Sequence, residues 1–412
     1  MNAEQPKPRP APTRPLAGIR VLALEGFVAG PYASMWLADM GAEVIKIEEP
    51  GSGDAARSLP PFRGERGKER SLSMFRSNRN KKSLTLNLKT EQGRAIFERL
   101  VAVSDVVIEN LRPDAFERLG FGFERLSALN PRLVYTSISG FGHQDMLPGP
   151  YTDWPALDII AQAMAGIMGR PEGGEQGPVY VGFPLADLYA STVAVCGTLQ
   201  ALFHRTVTGF GQRVDIAMYD STLVLNELAL TMETATGVVA KPGLQALTAP
   251  FGSFRGRDGS IAIAIMGERI WQNFCTAIER PDLATDPELQ NGIDRHRQSQ
   301  RLRQATEAWL QGRSVDEAVR QLAALGVPAA PVQDVSDIVS CPQVKARNML
   351  LTIEDEAWGK VQVVGQPIKA SGAPPVQAKA PPALGEHGRQ LLKDLACVDE
   401  AEFDRLQELG IV

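Results

Sequence analysis

"LALEGFVAGPYASMWLADMGAEVIKIEEP", Leu22 to Pro50, decides the fold. Leu22 and Leu24, preceded by Ile19 and Val21, form a short apolar run ended by Gly26, the pattern of a strand buried on both faces. Met35, Trp36 and Met40 then recur at helical spacing, and Gly41 supplies a C-terminal stop. "EVIKIEE" reads as the next strand. Strand, glycine-bearing turn, helix and strand make a mononucleotide-binding unit. The turn lacks G-x-G-x-x-G, because Gly26 and Gly30 frame only Phe27, Val28 and Ala29. Glycines at the missing positions let backbone and helix approach a pyrophosphate, so the pattern argues against a nicotinamide cofactor, although Glu48 and Glu49 stand where a ribose-binding acid would.

Outward from this stretch the alternation continues. "KKSLTLNL" alternates like a strand, and "KTEQGRAIFERLVAVSD" reads as a helix with Thr90 as N-cap and Ile96, Phe97, Leu100 and Val101 on one face. "DVVIENL" and "LVYTSISGFG" add strands, with one or two short helices between them. The pattern predicts an α/β fold: a Rossmann-like large domain with a parallel sheet and helices on both faces, and a smaller α+β domain. "PLADLYASTVAVCGTLQALFHRTVTG" reads as one long helix, apolar on every face and unbroken until Gly209, hence buried inside a domain or between subunits. The predicted organisation is an N-terminal disordered arm over 1–15, the large domain over 16–205, a linker over 206–224, the small domain over 225–325, and a return to the large domain with a C-terminal helix over 326–412.

Composition removes several functional classes. The 412 residues, 44% of them hydrophobic, suffice for two domains with their own cores. A net charge of -5 without long single-sign blocks offers no basic surface for nucleic acid. The four cysteines, Cys196, Cys275, Cys341 and Cys397, lie far apart with no C-x-x-C pair, so neither disulfides nor zinc are expected and a reducing cytoplasm fits. "MNAEQPKPRPAPTRP" lacks the apolar core of a secretory signal. No uninterrupted apolar run reaches membrane-spanning length, and no 20-to-50-residue repeat is visible; neither a membrane protein nor a solenoid is expected. His143, His204, His296 and His387 are scattered without H-E-x-x-H spacing, and there is no G-x-S-x-G elbow, so no metal site and no Ser-His-Asp hydrolysis are predicted.

Carboxylates remain. Asp187 follows "GFPLA" and opens the long helix, where the helix N-terminus keeps a carboxylate ionised. On position alone the helix N-cap is the favoured reading, since Asp is among the commonest capping residues, and Asp158 in "PALDIIAQAMAG" carries the same ambiguity.

Several blocks together, "PLAGIRVLAL", "AGPYASMWLADMGAEVIKIEEPGSGDAAR", "NRNKKSLTLNLKTEQGR", "DVVIENLRPDAFERLGFGFERLSALNPRLVYTSISGFG", "GFPLADLYAS", "LFHRTVTGFGQRVDIAMYDS" and "GVPAAPVQDV", resemble the class III CoA-transferases, typified by formyl-CoA transferase and carnitine CoA-transferases. The resemblance runs from about residue 16 to the C-terminus. It implies that Asp187 attacks an acyl-CoA thioester to give a mixed anhydride and CoA thiolate, and that the thiolate then forms an aspartyl-CoA thioester from which CoA passes to an acceptor acid. No metal, histidine or resident cofactor is required; the CoA thioester is a substrate. By position, Val28 and Ala29 would lie against the nucleotide or pantetheine. Leu86, Lys89, Asn110, Leu111, Arg112 and Arg118 would hold adenine and phosphates, and Asp158 joins the same CoA-binding set.

The resemblance further implies an interlocked-ring homodimer, or a hetero-oligomer with a paralogue, and acyl-CoA and carboxylic acids as partners. Succinyl-CoA is the expected donor and dicarboxylic acids the expected acceptors. Arg57, Arg63, Arg66 and Arg70 are candidates for a distal carboxylate, with a solvated basic loop as the plainer reading. Departures are visible: formyl-CoA transferase has Gln where Val28 stands and Arg where Glu49 stands, and its polyglycine loop corresponds here to "AKPGLQALTAPFGSF", with only Gly243 and Gly252. An α-methylacyl-CoA racemase type of epimerase is the alternative on the same fold, but it needs a His before the Asp that matches Asp158, where this chain has Leu157. A non-catalytic CoA-binding protein, with Asp187 only a cap, is the third reading.

Overall fold

The computed structural model describes residues 13–66, 69–168, 177–237 and 248–412. The chain divides into two units, one of Met1–Gly169, Gly177–Glu227 and Lys345–Val412, the other of Arg170–Gln176 and Leu228–Val344. Residues 1–12 of the expected N-terminal arm lie outside the described residues, as does most of the segment matched to the polyglycine loop, Gly243 included.

In the larger unit six strands form one parallel sheet: β1 (Arg20–Leu24), β2 (Glu43–Glu48), β3 (Lys82–Thr85), β4 (Val106–Glu109), β5 (Val134–Ser139) and β6 (Arg213–Ala217). Their order is β3-β2-β1-β4-β5-β6, the doubly wound arrangement in which the order of strand addition reverses between β1 and β4. Register aligns Val21 with Val44 and Val106, and Leu22 with Ile45 and Val107. Both parities of each strand are therefore apolar, and each faces its own core. Leu22, Leu24, Ile45 and Ile47 pack with Ile96, Phe97, Phe116 and the C-terminal Leu392 on one side. Val21, Ala23, Val44 and Val106 pack with Ala33, Ala190 and Ala194 on the other.

The helices that matter for the site are α1 (Ala29–Asp39), α2 (Leu72–Ser77), α3 (Glu91–Ala102), α4 (Asp158–Met164) and α5 (Leu185–Thr208). Thr90 caps α3 by accepting from the Gly93 N–H at 3.0 Å. The α5 helix lays Ala190, Ala194 and Ala201 on the sheet, and these small side chains let it lie close to α1 and β5. It ends at Gly209, whose φ of +82° suits a residue without Cβ.

Within one chain the long helix leaves Phe203 and Val207, one turn apart, 73% and 76% exposed, which the expected burial inside a domain or between subunits allows. Two other expectations need correction. At 24 residues the helix is long and apolar enough to cross a bilayer, which the sequence reading did not grant any segment; here its alanine face instead covers the sheet. Residues 206–224 are not a linker, because they hold the end of α5, strand β6 and the helix Met218–Val224.

The smaller unit is α+β. Its antiparallel sheet joins β7 (Phe251–Arg255), β8 (Ser260–Ala264) and β9 (Ala329–Pro331) around a core centred on Trp271, Phe274, Leu302 and Leu322. Because β9 pairs with β8, the chain leaves this unit after Val344 rather than at 325. The boundary follows strand pairing, which the local Pro-rich pattern does not reveal.

Candidate functional site

Asp187 sits in the first turn of α5, half-buried, but it is not the cap. The N-cap is Pro184, which offers no side-chain acceptor. Capping comes from Asp158 on α4: its Oδ1 accepts from the Ala186 N–H at 2.7 Å and the Asp187 N–H at 3.2 Å. The Asp158 Oδ2 accepts from Gln162 Nε2 at 2.7 Å, and the same amide nitrogen donates to the Phe183 carbonyl at 3.1 Å. Asp158 is thus committed to the backbone at the head of α5, leaving the Asp187 carboxylate outside the capping scheme.

Burial and the neighbouring Asp158 charge push the Asp187 carboxyl up to about 7, against a smaller opposing pull from Arg76. Loss of water and a second carboxylate thus act against the ionised form that the helix N-terminus was expected to keep. The Tyr180 phenol stands among the same groups. Burial, then Asp158 and Asp187, raise it above the ordinary phenol range, so it stays a proton donor.

A cleft of about 230 Å³ opens at the carboxyl ends of the central strands, where doubly wound sheets bind ligands. Leu24, Ile47, Leu86, Leu88, Leu111 and Leu119 line it with apolar surface, and Lys89 and Glu49 stand at its edge as an ion pair of 3.0 Å. Three of the sequence-predicted contacts, Leu86, Lys89 and Leu111, are gathered here. Arg112 and Arg118 are exposed, Arg112 directly after the cleft residue Leu111 and Arg118 directly before Leu119.

The turn between β1 and α1 is clamped from two sides. Asn110 accepts from the Gly26 N–H at 2.9 Å and donates to the Gly26 carbonyl at 3.0 Å, so its amide is spent on the backbone. Asp54 accepts from the Phe27 N–H at 3.1 Å and is itself paired with the buried Lys46 at 2.8 Å. Held this way, Phe27 adopts a φ of +62°, a left-handed conformation costly for a side chain with Cβ. Gly30 has a different reason to lack a side chain: a Cβ there would lie 2.8 Å from the Asn110 Oδ1. Val28 is the N-cap of α1 and Ala29 its buried first residue. The Ala29 carbonyl accepts from Ser191 Oγ at 2.7 Å, and that hydroxyl lies 2.6 Å from the Asp187 carbonyl. The clamped turn and the nucleophile candidate are thereby tied together.

Other assignments resolve differently. Glu48 is buried under a two-pronged ion pair with Arg57, each contact 2.7 Å, so neither is free for a ribose or a substrate carboxylate. Arg70 pairs with Asp355 at 2.7 Å, and Arg63 lies over the Trp358 ring at 5.9 Å; both are held by the hairpin of 350–364. Leu157, where a racemase needs its histidine, is 65% exposed and precedes α4. The sequence reading missed a buried set in which His143 Nδ1 meets Asp215 at 2.7 Å and the His143 Nε2 lies 4.0 Å from Glu109. Burial pushes Glu109 up to about 7, and its Oε2 accepts from the Leu111 N–H at 2.7 Å, which shapes the loop carrying Leu111 and Arg112. Among the described residues no group of three or more His, Cys, Asp or Glu could hold a metal.

Comparison with known proteins agrees with this geometry. The model of CoA-transferase family III matches residues 16–388. The chain is 38% identical to the acetyl-CoA:oxalate CoA-transferase of Acetobacter aceti, over 93% of this chain and 97% of that protein. It is also 38% identical to the succinyl-CoA:mesaconate CoA-transferase of Haloarcula hispanica, over 92% and 96%. The crystal structure of a CAIB/BAIF family protein from Brucella suis superposes with a TM-score of 0.79 at 32% identity, covering 92% of this chain and 99% of that one. With the doubly wound sheet, the cleft at its switch point and these matches along nearly the whole sequence, the chain belongs to CoA-transferase family III and is an enzyme of the CoA-transferase type.

Proposed function

We propose that this enzyme moves CoA from an acyl-CoA, succinyl-CoA first among donors, to a dicarboxylic acid, with Asp187 as the covalent nucleophile. The observation that carries the proposal is the division of labour at the head of α5: Asp158 caps the helix, and among the described residues the half-buried Asp187 carboxylate makes no hydrogen bond or ion pair. An Asp187 oxygen attacks the thioester carbon, the C–S bond breaks, and CoA leaves as thiolate. The thiolate attacks the Asp187 carbonyl of the anhydride, and the donor acid departs with the C–O electron pair. The acceptor carboxylate then attacks the aspartyl-CoA thioester, and the released thiolate takes the new acyl group, restoring the Asp187 carboxylate. Each step exchanges one anion for another, so no resident cofactor or metal is needed. The cleft holding Leu86, Lys89 and Leu111 takes the nucleotide end of CoA, with Arg112 and Arg118 for phosphates.

Oxalate and mesaconate, the acids named for the two relatives, support a dicarboxylic acceptor. Leu157 in place of a histidine speaks against the racemase alternative. The exposed Phe203 and Val207 on α5 support a face covered by a second copy of the chain, which we read as the interlocked homodimer of a cytoplasmic enzyme. Light scattering should then return twice the 44.6 kDa chain mass, unchanged on dilution because linked rings do not part without unfolding. The decisive experiment is trapping. Incubation with succinyl-CoA and hydroxylamine should convert Asp187 to a hydroxamate found by peptide mass spectrometry. Absence of the adduct with every acyl-CoA tried would sink the covalent mechanism.

A further inference from the structure

Resting on the reading of the cleft as the acyl-CoA site, we propose that Glu109 is a positioning residue for acyl-CoA binding, which from beneath the cleft fixes the loop that presents Leu111 and Arg112. Glu109 ends β4, is buried, and stands behind the cleft rather than in its wall. Its two carboxylate oxygens are divided between two elements. Oε2 accepts from the Leu111 N–H at 2.7 Å, and Oε1 accepts from the Tyr135 hydroxyl on β5 at 3.1 Å. Leu111 lies beyond the end of β4, so the carboxylate takes the place of a ladder partner for its N–H. The intervening Asn110 cannot do this, because its amide is committed to Gly26.

The support under Glu109 is continuous with β6. Asp215 holds His143 twice, its Oδ2 accepting from the backbone N–H at 3.0 Å and its Oδ1 lying 2.7 Å from Nδ1. A carboxylate oxygen accepts only, so Nδ1 carries the proton and Nε2 is the edge turned toward Glu109, 4.0 Å from Oε1. Arg213, also on β6, lies over the Tyr135 ring at 5.5 Å and pairs with Glu117 at 3.8 Å. The segment 111–119 lines the cleft with its two ends, Leu111 and Leu119, and carries Arg112 and Arg118 between them. It is therefore held at its start by Glu109 and near its finish by Glu117. Burying a carboxylate is costly. What the fold gains is a charge-assisted bond that sets the loop before the ligand arrives, which lowers the ordering cost of binding.

The test compares wild type, Glu109→Leu and Glu109→Gln in succinyl-CoA turnover and in calorimetric titration with free CoA, which needs no turnover. Glu109→Leu fills the space without an acceptor; it should weaken CoA binding and raise KM for succinyl-CoA about 10- to 100-fold, with kcat within about threefold of wild type. Glu109→Gln keeps an acceptor oxygen for the Leu111 N–H but no charge, and should fall between, about 3- to 10-fold weaker than wild type. Hydrogen–deuterium exchange over residues 110–119 should quicken in the same order. Wild-type CoA affinity in either variant, or a fall in kcat with KM unmoved, overturns the assignment; if Glu109→Leu does not fold, Glu109→Gln decides. Leu111→Asp, which sets a charge in the cleft wall, separates this from the cleft reading. Loss of CoA binding there beside wild-type binding in the Glu109 variants overturns the role of Glu109 and leaves the cleft as the CoA site, whereas normal binding in Leu111→Asp overturns both. Failure of the Asp187 trap alongside the expected Glu109 losses removes the covalent mechanism alone.

Discussion

As the proposed nucleophile Asp187 would have to be ionised to attack, yet burial and Asp158 hold its carboxyl at about 7. Below that pH most of the free enzyme carries a protonated, non-nucleophilic group, so kcat/KM for the acyl-CoA should rise with pH and level off above about 7. Asp158→Asn removes the second cause of the elevation while keeping an oxygen to accept from Ala186; the rising limb should move to lower pH. A pH–rate profile in which the limb stays put would show that burial alone sets it. Asp187 stood out through the resemblance that "GFPLAD" helps to carry, but its environment was not legible. The cap that releases it comes from a residue 29 positions earlier, and nothing periodic in the sequence marks that bond.

At the scale of elements, the β1–α1 turn was read correctly as a strand-to-helix junction with two glycines, but the reason for Gly30 lay 80 residues away in Asn110. Asn110→Ala should remove both amide contacts to Gly26, leave its N–H and carbonyl short of a partner, and cost about 1–3 kcal/mol in urea unfolding. Because the turn carries Val28 and Ala29, the same change should raise KM for acyl-CoA more than it lowers kcat. A fall in kcat alone would separate the turn from CoA binding. Strands β1, β2 and β4 were legible as apolar runs because a parallel strand covered on both faces needs apolar residues at both parities. The partial exposure of α5 was not, since an apolar helix looks the same in sequence whether its second face meets this chain or is left open.

For the whole molecule, Asp187 is a liability to stability. Its proton is held more tightly folded, at about 7, than at the ordinary 3.8, so the carboxyl stabilises the fold at low pH and that contribution is lost as pH rises through 7. Asp187→Asn, which carries no charge, should therefore melt a few degrees above wild type at pH 8, with the difference vanishing near pH 4. Calorimetry at the two pH values checks this, and a wild type that melts higher at pH 8 contradicts it. The division into units was readable in outline from the switch between βα alternation and mixed patterning. Its limits were not, because the short β9 belongs with β8 only through pairing across about 65 residues of chain.

Because the head of α5 is secured by Asp158, chemistry can be switched off at Asp187 without dismantling the scaffold around it. An immobilised Asp187→Asn protein would then act as bait, retaining from a mixture of thioesters those that the intact enzyme would consume. The natural donor would be identified by what stays on the column.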